Sequence, residues 1–546
     1  MTTCTTFWRT CRRFASVLSS RSPYAPLVVS PEPVEGSNHE QDGSSFDSPA
    51  LSKRSSFYRL RPSGEQKRQT RHTATCVVVA GAVAIAVVGA ARPQYGGTLR
   101  VETQAIVRTL DPVTATNDAA ASASRNRLRP LVFETLVAVD PARGLQPLLA
   151  RSWEGDARGT RWRFHLRSGV VLHDGSVLEP WQVATALRTS GNAWTVATDG
   201  DVIVIEPSNP QPALPWELAD DRHAVVVRRS PAELVGTGPF RIERLEAGRL
   251  SLRAHDGYWS GRPFVDAVRV EMGRGLAAQL TDLELGRADF VEAQPADARR
   301  LAQRGLQVAG SLPLDLFVLV FEARRATPSG AAIRHLLTTA LDRRAMCEVL
   351  LQGRAEPAEA LLPAWISGYA SVFVTPGVQR PSQSAVTAVP AEQRALTLRV
   401  DPSDPLARSI AERIAVDARE AGLTVTVQVP AGLAPLPDLR LLRVKLEATS
   451  PNRALTRAMA ALGSRAMALA TTEPPLAADA PLDAVLRLER AVLEASVVIP
   501  VLRAPELYGL GERVETWDGR AVSPTGALNL ASLWIRTAPP DTGPRR

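Results

Sequence analysis

Cysteine is nearly absent. Of the four cysteines in 546 residues, Cys4, Cys11 and Cys76 stand before residue 92. Cys347 is alone in the body, so no disulfide can form there, and cysteine usage neither supports nor excludes an oxidising compartment. Lysine is scarcer still: after the first 91 residues only Lys445 remains, against many arginines, a bias we assign to codon usage. Aromatic residues are 5% of the chain and no basic stripe interleaves with them, which excludes the usual footprint of nucleic-acid binding. The seven histidines are scattered. There is no HExxH, no CxxC and no GxSxG. Gly236-Thr237-Gly238 is followed by Pro239, not by the lysine of a phosphate loop. His173-Asp174 reads as the close of a turn rather than as a metal or acid–base pair. The expectation is therefore no catalytic residue, no metal ligand and no cofactor: a binding protein, not an enzyme.

What is present fits a folded, multi-lobed chain. Hydrophobic residues make up 45% and charged residues 22%, and 546 residues exceed what one core covers. The formal charge of +8 is uneven: residues 1–91 hold 11 basic and 6 acidic side chains, leaving only +3 for the rest. Residues 1–70 are rich in Ser, Pro and Arg without periodicity, the composition of a disordered extension or of a misassigned start. Residues 71–91 carry a basic flank (Arg71, His72), the apolar run Cys76–Ala91 and a small-residue exit at Gly89, Ala90 and Ala91. That is the pattern of a secretory signal peptide, or of an uncleaved membrane anchor through 76–91.

The body, 92–535, alternates strand and helix patterns. Thr98–Glu102 reads as a strand before the turn Leu110-Asp111-Pro112. Trp162, Phe164 and Leu166 alternate with charged residues, and Ser168-Gly169 then permits a turn into Val170–Leu172, so a β-hairpin is expected. Glu179–Leu187 reads as a helix. Leu314–Phe321 is apolar throughout, like a strand buried on both faces. Ile333–Met346 is amphipathic. Ala395–Val400, Ala407–Ala421 (stopped by Gly422) and Leu423–Val429 form a strand–helix–strand unit. Residues 376–394 read as a linker, and residues 536–546 as a tail.

Six blocks along this body resemble, in order, those of extracytoplasmic solute-binding protein family 5, the peptide/nickel-type substrate-binding proteins of ABC transporters. They are Leu131–Val137 (LVFETLV), Pro147–Trp153 (PLLARSW), Leu166–Gly175 (LRSGVVLHDG), Gly236–Phe240 (GTGPF), Tyr258–Asp266 (YWSGRPFVD) and Ile333–Arg343 (IRHLLTTALDR). The resemblance implies an α/β, two-lobed periplasmic-binding-protein fold (type II, large peptide-binding class) with mixed sheets and crossing hinge strands. Lobe I would span 92–313, with a trimmed subdomain at about 188–234; lobe II would span 314–490, and 491–535 would return to lobe I.

The same resemblance implies capture of a small solute, an oligopeptide first, by lobe closure outside the cytoplasm, and delivery to an ABC permease in the inner membrane by a periplasmic monomer. By position, Asn117, Asp118, Phe317, Trp365, Asp438 and Arg440 are the candidate ligand-binding residues, with ordinary core as the alternative role of Phe317 and Trp365. One departure stands out. Peptide-binding relatives carry an acidic residue in an Asp-Pro segment that pairs with the ligand's amine; here Pro437–Lys445 lacks Asp-Pro and places Arg440, Arg443 and Lys445 near Asp438. Facing the cleft, those cations would favour an anion; facing solvent, they would say nothing of the ligand. A sensory or transporter-uncoupled protein on the same fold, or a binder of a sugar, opine or metal chelate, are the alternatives.

Overall fold

The computed structural model describes residues 93–536 except 115–118, 191, 231–232, 328–329, 370–372, 374–385, 388, 430–434, 447–449, 478–479 and 517–519. These residues fall within one unit, Ala91–Arg546. The expected leader, 1–70, and signal segment, 71–91, lie outside the described residues, as do most of the 376–394 linker and the 536–546 tail beyond Arg536.

One large mixed sheet runs through both lobes. Its strands lie in the order Phe240–Glu246, Arg249–Ala254, Ala267–Met272, Thr98–Thr103, Phe290–Ala293, Val498–Leu510, Gln307–Phe321, Leu439–Lys445, Ala395–Arg399 and Thr424–Gln428. The two longest, Gln307–Phe321 and Val498–Leu510, pair antiparallel and cross between the lobes. At one end Gln307 faces Leu510, beside the first-lobe strand Phe290–Ala293; at the other Val320 faces Val498, beside the second-lobe strand Leu439–Lys445. The ladder is irregular midway, on either side of Pro313, which faces Pro505. Proline has no backbone N–H to give, so two opposed prolines thin the hydrogen bonding where the lobes meet. The hand-over is visible in the cores: Val498 to Ala504 pack in the second-lobe core, whereas Tyr508 and Leu510 pack in the first.

Local chemistry sets the helix ends. Asp404 accepts from the Ala407 amide at 3.0 Å and Pro405 opens the helix Pro405–Glu420, which Gly422 ends with φ of 75°. The Ile333–Met346 segment is not one helix. It runs Ala331–Ala340, breaks at the extended Leu341 and restarts as Arg343–Ala345, because Asp342 caps a new turn at the Ala345 amide, 2.8 Å away.

The expected hairpin is corrected by the pairing. Trp162–Leu166 lies between Ala150–Gly155 and Val202–Pro207 in a separate four-stranded sheet, with Trp194–Asp199 on its edge. Val171 makes only an isolated bridge to Val177. The alternation was read correctly as one buried face: Phe164 and Leu166 join the third core, under the helix Pro180–Thr189. Sequence adjacency chose the wrong partner.

The Gly236-Thr237-Gly238 block is structural. A Cβ on Gly236 would meet the Val132 carbonyl oxygen at 2.1 Å, and one on Gly238 would meet the Val132 carbonyl carbon at 2.7 Å. The Gly238 amide donates to Val132 O at 3.0 Å. These glycines let the strand Glu233–Val235 and its sequel pass flush against the Leu131–Phe133 backbone. Among the described residues no helix is long and apolar enough to cross a membrane.

Candidate functional site

A cavity of about 430 Å³ opens beside the crossing strands. The first lobe contributes most of its wall, including Asn126 and Arg127 of the helix Ala119–Leu128, Glu134, Asp220, Asp221, Tyr258 and Thr525. The second lobe contributes Lys445 and Leu446, and the crossing strand Val498–Leu510 contributes Glu506.

Charge at its floor is arranged around Glu506. This carboxylate takes Arg127 from the first lobe, with Arg127 Nε 3.1 Å and Nη2 2.5 Å away, and Lys445 from the second. Arg127 also reaches Glu292 Oε1 at 2.9 Å. Lys445 lies 4.0 Å from Asp315, which binds Arg443 Nη2 at 2.5 Å. Burial alone would raise the Glu506 carboxyl, but Arg127 and Lys445 outweigh it and hold it down at about 2. Tyr508, two residues on, is buried with a hydroxyl that finds no partner among the described residues.

The upper wall is acidic. Glu134 is buried and accepts from Tyr258 Oη at 2.9 Å and from Trp259 Nε1 at 3.1 and 3.0 Å. Burial raises its carboxyl, and these donors only partly offset that. Burial also pushes Asp221 up to about 7, with Asp220 adding to the rise and Arg129 opposing it. Asp220, at the rim, pairs across the lobes with Arg457 at 2.9 Å and Arg453 at 3.7 Å.

The sequence-based candidates fall largely elsewhere. Asn117 and Asp118 lie outside the described residues; the helix that follows them supplies Asn126 and Arg127 to the wall. None of Phe317, Trp365, Asp438 and Arg440 lines the cavity. Phe317 is fully buried in the second-lobe core, with the Arg443 guanidinium 5.5 Å from its ring centre. Trp365 packs partly buried against the same core, its ring N–H without a partner among the described residues. Asp438 is 3% exposed and fully engaged: Thr397 N at 2.8 Å, Thr397 Oγ1 at 2.9 Å and Arg325 Nε at 2.7 Å. Burial alone would lift its carboxyl, but the Arg325 and Thr397 bonds hold it below the usual range. Arg440 pairs with Glu322.

Of the three cations weighed for an anion site, only Lys445 reaches the cavity, and Glu506 neutralises it. Sequence reasoning missed Arg127, Glu506, Glu134 and Asp221. One signal existed: Val498–Leu510 is buried along its whole length yet carries Arg503 and Glu506, and charges in such a strand need partners.

Comparison with known proteins agrees with this architecture. A family model described as bacterial extracellular solute-binding proteins, family 5 Middle, matches residues 144–438. The peptide transport periplasmic protein SapA of Salmonella typhimurium is 24% identical over 408 residues, 64% of this chain and 74% of that one. Among solved structures, the ABC transporter substrate-binding protein CtaP of Listeria monocytogenes superposes with a TM-score of 0.68 at 16% identity, over 81% of this chain and 100% of that one. NikA of Brucella suis, solved with Fe(III)-EDTA, superposes with a TM-score of 0.65 at 17% identity over 81% and 100%. The structural likenesses establish a two-lobed α/β binding-protein fold.

Proposed function

The chain belongs to the bacterial extracellular solute-binding proteins of family 5, and on that premise we propose that it captures a small solute outside the cytoplasm, a short peptide first, and hands it to an ABC import permease. The observation that carries the reading is the cavity of about 430 Å³ walled by both lobes beside a proline-interrupted hinge. Its volume lies in the range of roughly 300–1,000 Å³ usual for small-ligand sites and suits a short peptide better than a long one. Closure of two lobes about crossing strands buries such a ligand, and the closed form is what a permease would read. The peptide class is supported by the name of the SapA relative, a peptide transport protein. On this reading the protein is a periplasmic monomer exported through residues 71–91, and its ligand contacts come from the cavity wall rather than from Phe317, Trp365, Asp438 or Arg440.

The test is tryptophan fluorescence of the purified chain titrated with pools of di- and tripeptides. Trp259 donates to Glu134 on the cavity wall, so occupancy should shift its emission. A saturable response to peptides supports the reading. Silence with every pool, together with a response to sugars, opines or metal chelates, overturns the peptide class.

A further inference from the structure

The outer face of the first-lobe sheet is covered on one side only. On the strands Phe290–Ala293 and Val498–Leu510, Val291, Ala293 and Leu507 pack with Leu280, Leu283 and Leu301 of the helices Leu276–Glu284 and Pro295–Gln303. Beyond Thr98–Thr103 the same face reaches solvent on Ala267–Met272, Arg249–Ala254 and the edge strand Phe240–Glu246. Leu99, Val268, Leu252 and Phe240 point the other way, into the first-lobe core. Arginines occupy the open face. The register sets Arg241 directly opposite Arg253 and Arg269 opposite Arg100, with Ser251 and Arg244 continuing the second row to the sheet edge. Like charges at paired positions oppose strand pairing, and only part of this charge is answered. Arg244 pairs with Glu246 at 2.6 Å, Arg249 pairs with Glu271 at 2.8 Å, Arg253 lies 3.8 Å from Glu243, and Arg100 and Arg513 share Asp289. Among the described residues Arg241 and Arg269 are exposed and make no ion pair; Arg241 acts on Asp256 only through space.

We propose that this face docks on a phospholipid surface that carries anionic phosphatidylglycerol headgroups. The proposal is independent of which solute the cavity holds. Charges on an edge strand can serve simply to deter pairing with another sheet. That purpose does not reach Arg269, which sits on the third strand from the edge. Guanidinium is weakly hydrated and forks onto phosphate oxygens, so uncommitted arginines in adjacent rows favour phosphate partners. An uncovered sheet face can set several of them against a plane of headgroups at once. The sequence also brings a bilayer close. The apolar run of residues 76–91 ends seven residues before Thr98, and Thr98 lies in the row of Arg241, Arg253 and Ala267. A stretch of that length spans at most about 25 Å. A chain exported through that run therefore leaves the membrane with this face beside it.

The experiment is co-sedimentation of the full chain with vesicles of phosphatidylcholine and of phosphatidylcholine mixed with phosphatidylglycerol. It compares the native protein, R241Q/R269Q and a control of equal charge loss, R151Q/R161Q, at the separate four-stranded sheet, where both arginines are also exposed. The native protein should prefer the phosphatidylglycerol vesicles, more so at low salt. Each arginine near an anionic surface is worth about fivefold in partitioning, so R241Q/R269Q should lose roughly five- to thirtyfold of that preference. The control should lose little. Equal partitioning of the native protein onto both vesicles, an undiminished preference in R241Q/R269Q, or an equal loss in R151Q/R161Q overturns the proposal. So does a salt-sensitive dimer of the vesicle-free protein that R241Q/R269Q abolishes, which would give the face to a second copy of the chain. Solute capture stands in each of these cases.

Discussion

Arg457 Nη2 lies 2.9 Å from Asp220 Oδ2, and this pair ties the second lobe to the first at the rim of the cavity. Arg453, one turn earlier on the helix Pro451–Leu462, pairs with Glu217 and approaches the same Asp220. On the closure reading proposed above, with the crossing strands as the hinge, this cluster would act as a latch on the cleft. Partly exposed pairs contribute about 0.2–1 kcal/mol each, enough to bias an equilibrium between open and closed lobes without locking it. The double variant R453Q/R457Q should open the unliganded protein and weaken ligand binding roughly two- to tenfold. Small-angle scattering should show a larger radius of gyration, and added salt should move the native protein the same way. Identical scattering by variant and native protein would remove the latch from the closure mechanism.

Glu506 sits between cations supplied by opposite lobes, so its loss is felt by both. Glu506→Gln leaves Arg127 and Lys445 facing each other with one anion fewer, a change that costs about 3–5 kcal/mol when a buried pair is broken. Denaturant midpoints should fall accordingly. The pH dependence follows from a carboxyl held near 2 in the fold against an ordinary value of 4.5. A depressed carboxyl contributes its full stability above the ordinary value and loses it as pH falls toward the folded one. The stability gap between native protein and Glu506→Gln should therefore stay constant from pH 7 to about 5 and shrink below that. A gap that widens on acidification would contradict the placement of this charge.

A buried histidine adds to this acid sensitivity at higher pH. His173 is held neutral by its own network: Nδ1 accepts from the Gly236 amide at 3.3 Å while Nε2 donates to Gly238 O at 3.0 Å. Protonation would set an N–H against the Gly236 N–H. Burial, with His255 and Arg241 nearby, brings its value down from 6.5 to about 4, against the pull of Gly238 and Asp174. A ring that resists protonation in the fold but accepts it when unfolded loses stability for the protein as pH drops below 6.5, and that loss levels off near 4. Unfolding midpoints should fall between pH 7 and 5, and His173→Gln should flatten that slope at the cost of lower stability at pH 7. An unchanged slope in the variant would assign the acid sensitivity elsewhere, for instance to His223, held near 3 chiefly by burial.

The sequence made the elements legible and their partners less so. Leu314–Phe321, Ala395–Val400 and Ala407–Ala421 were readable because burial on both faces, strand alternation and helix caps are local properties. The hairpin at Trp162 failed because strand pairing is decided by which neighbour buries Phe164 and Leu166, and that neighbour, Val202–Pro207, lies about forty residues on. The cavity failed for the same reason on a larger scale. Arg127, Asp221, Lys445 and Glu506 are separated by up to 379 residues and meet only because the crossing strands carry the chain back to the first lobe. No spacing along the chain announces such a set.

Phe317 offers the sharpest contrast between position and role. It lies on a crossing strand beside the cleft, which made it a ligand candidate, yet its ring is wholly inside the second-lobe core, below Arg443. Side chains on a strand alternate between faces, so a residue near the hinge can point away from it. Phe317→Ala should cost about 3–5 kcal/mol, the usual loss for emptying an aromatic site in a packed core, and also remove a cation–π contact with Arg443. Phe317→Leu keeps most of the volume and should cost much less. The decisive comparison is binding measured on Phe317→Leu well below its unfolding transition. Peptide affinity within about twofold of the native protein is expected, because a core side chain sets how much protein is folded and not what the folded cavity touches. A large affinity loss in a fully folded Phe317→Leu would mean that the ring reaches the ligand in another lobe arrangement, and the cavity wall would have to be redrawn to include it.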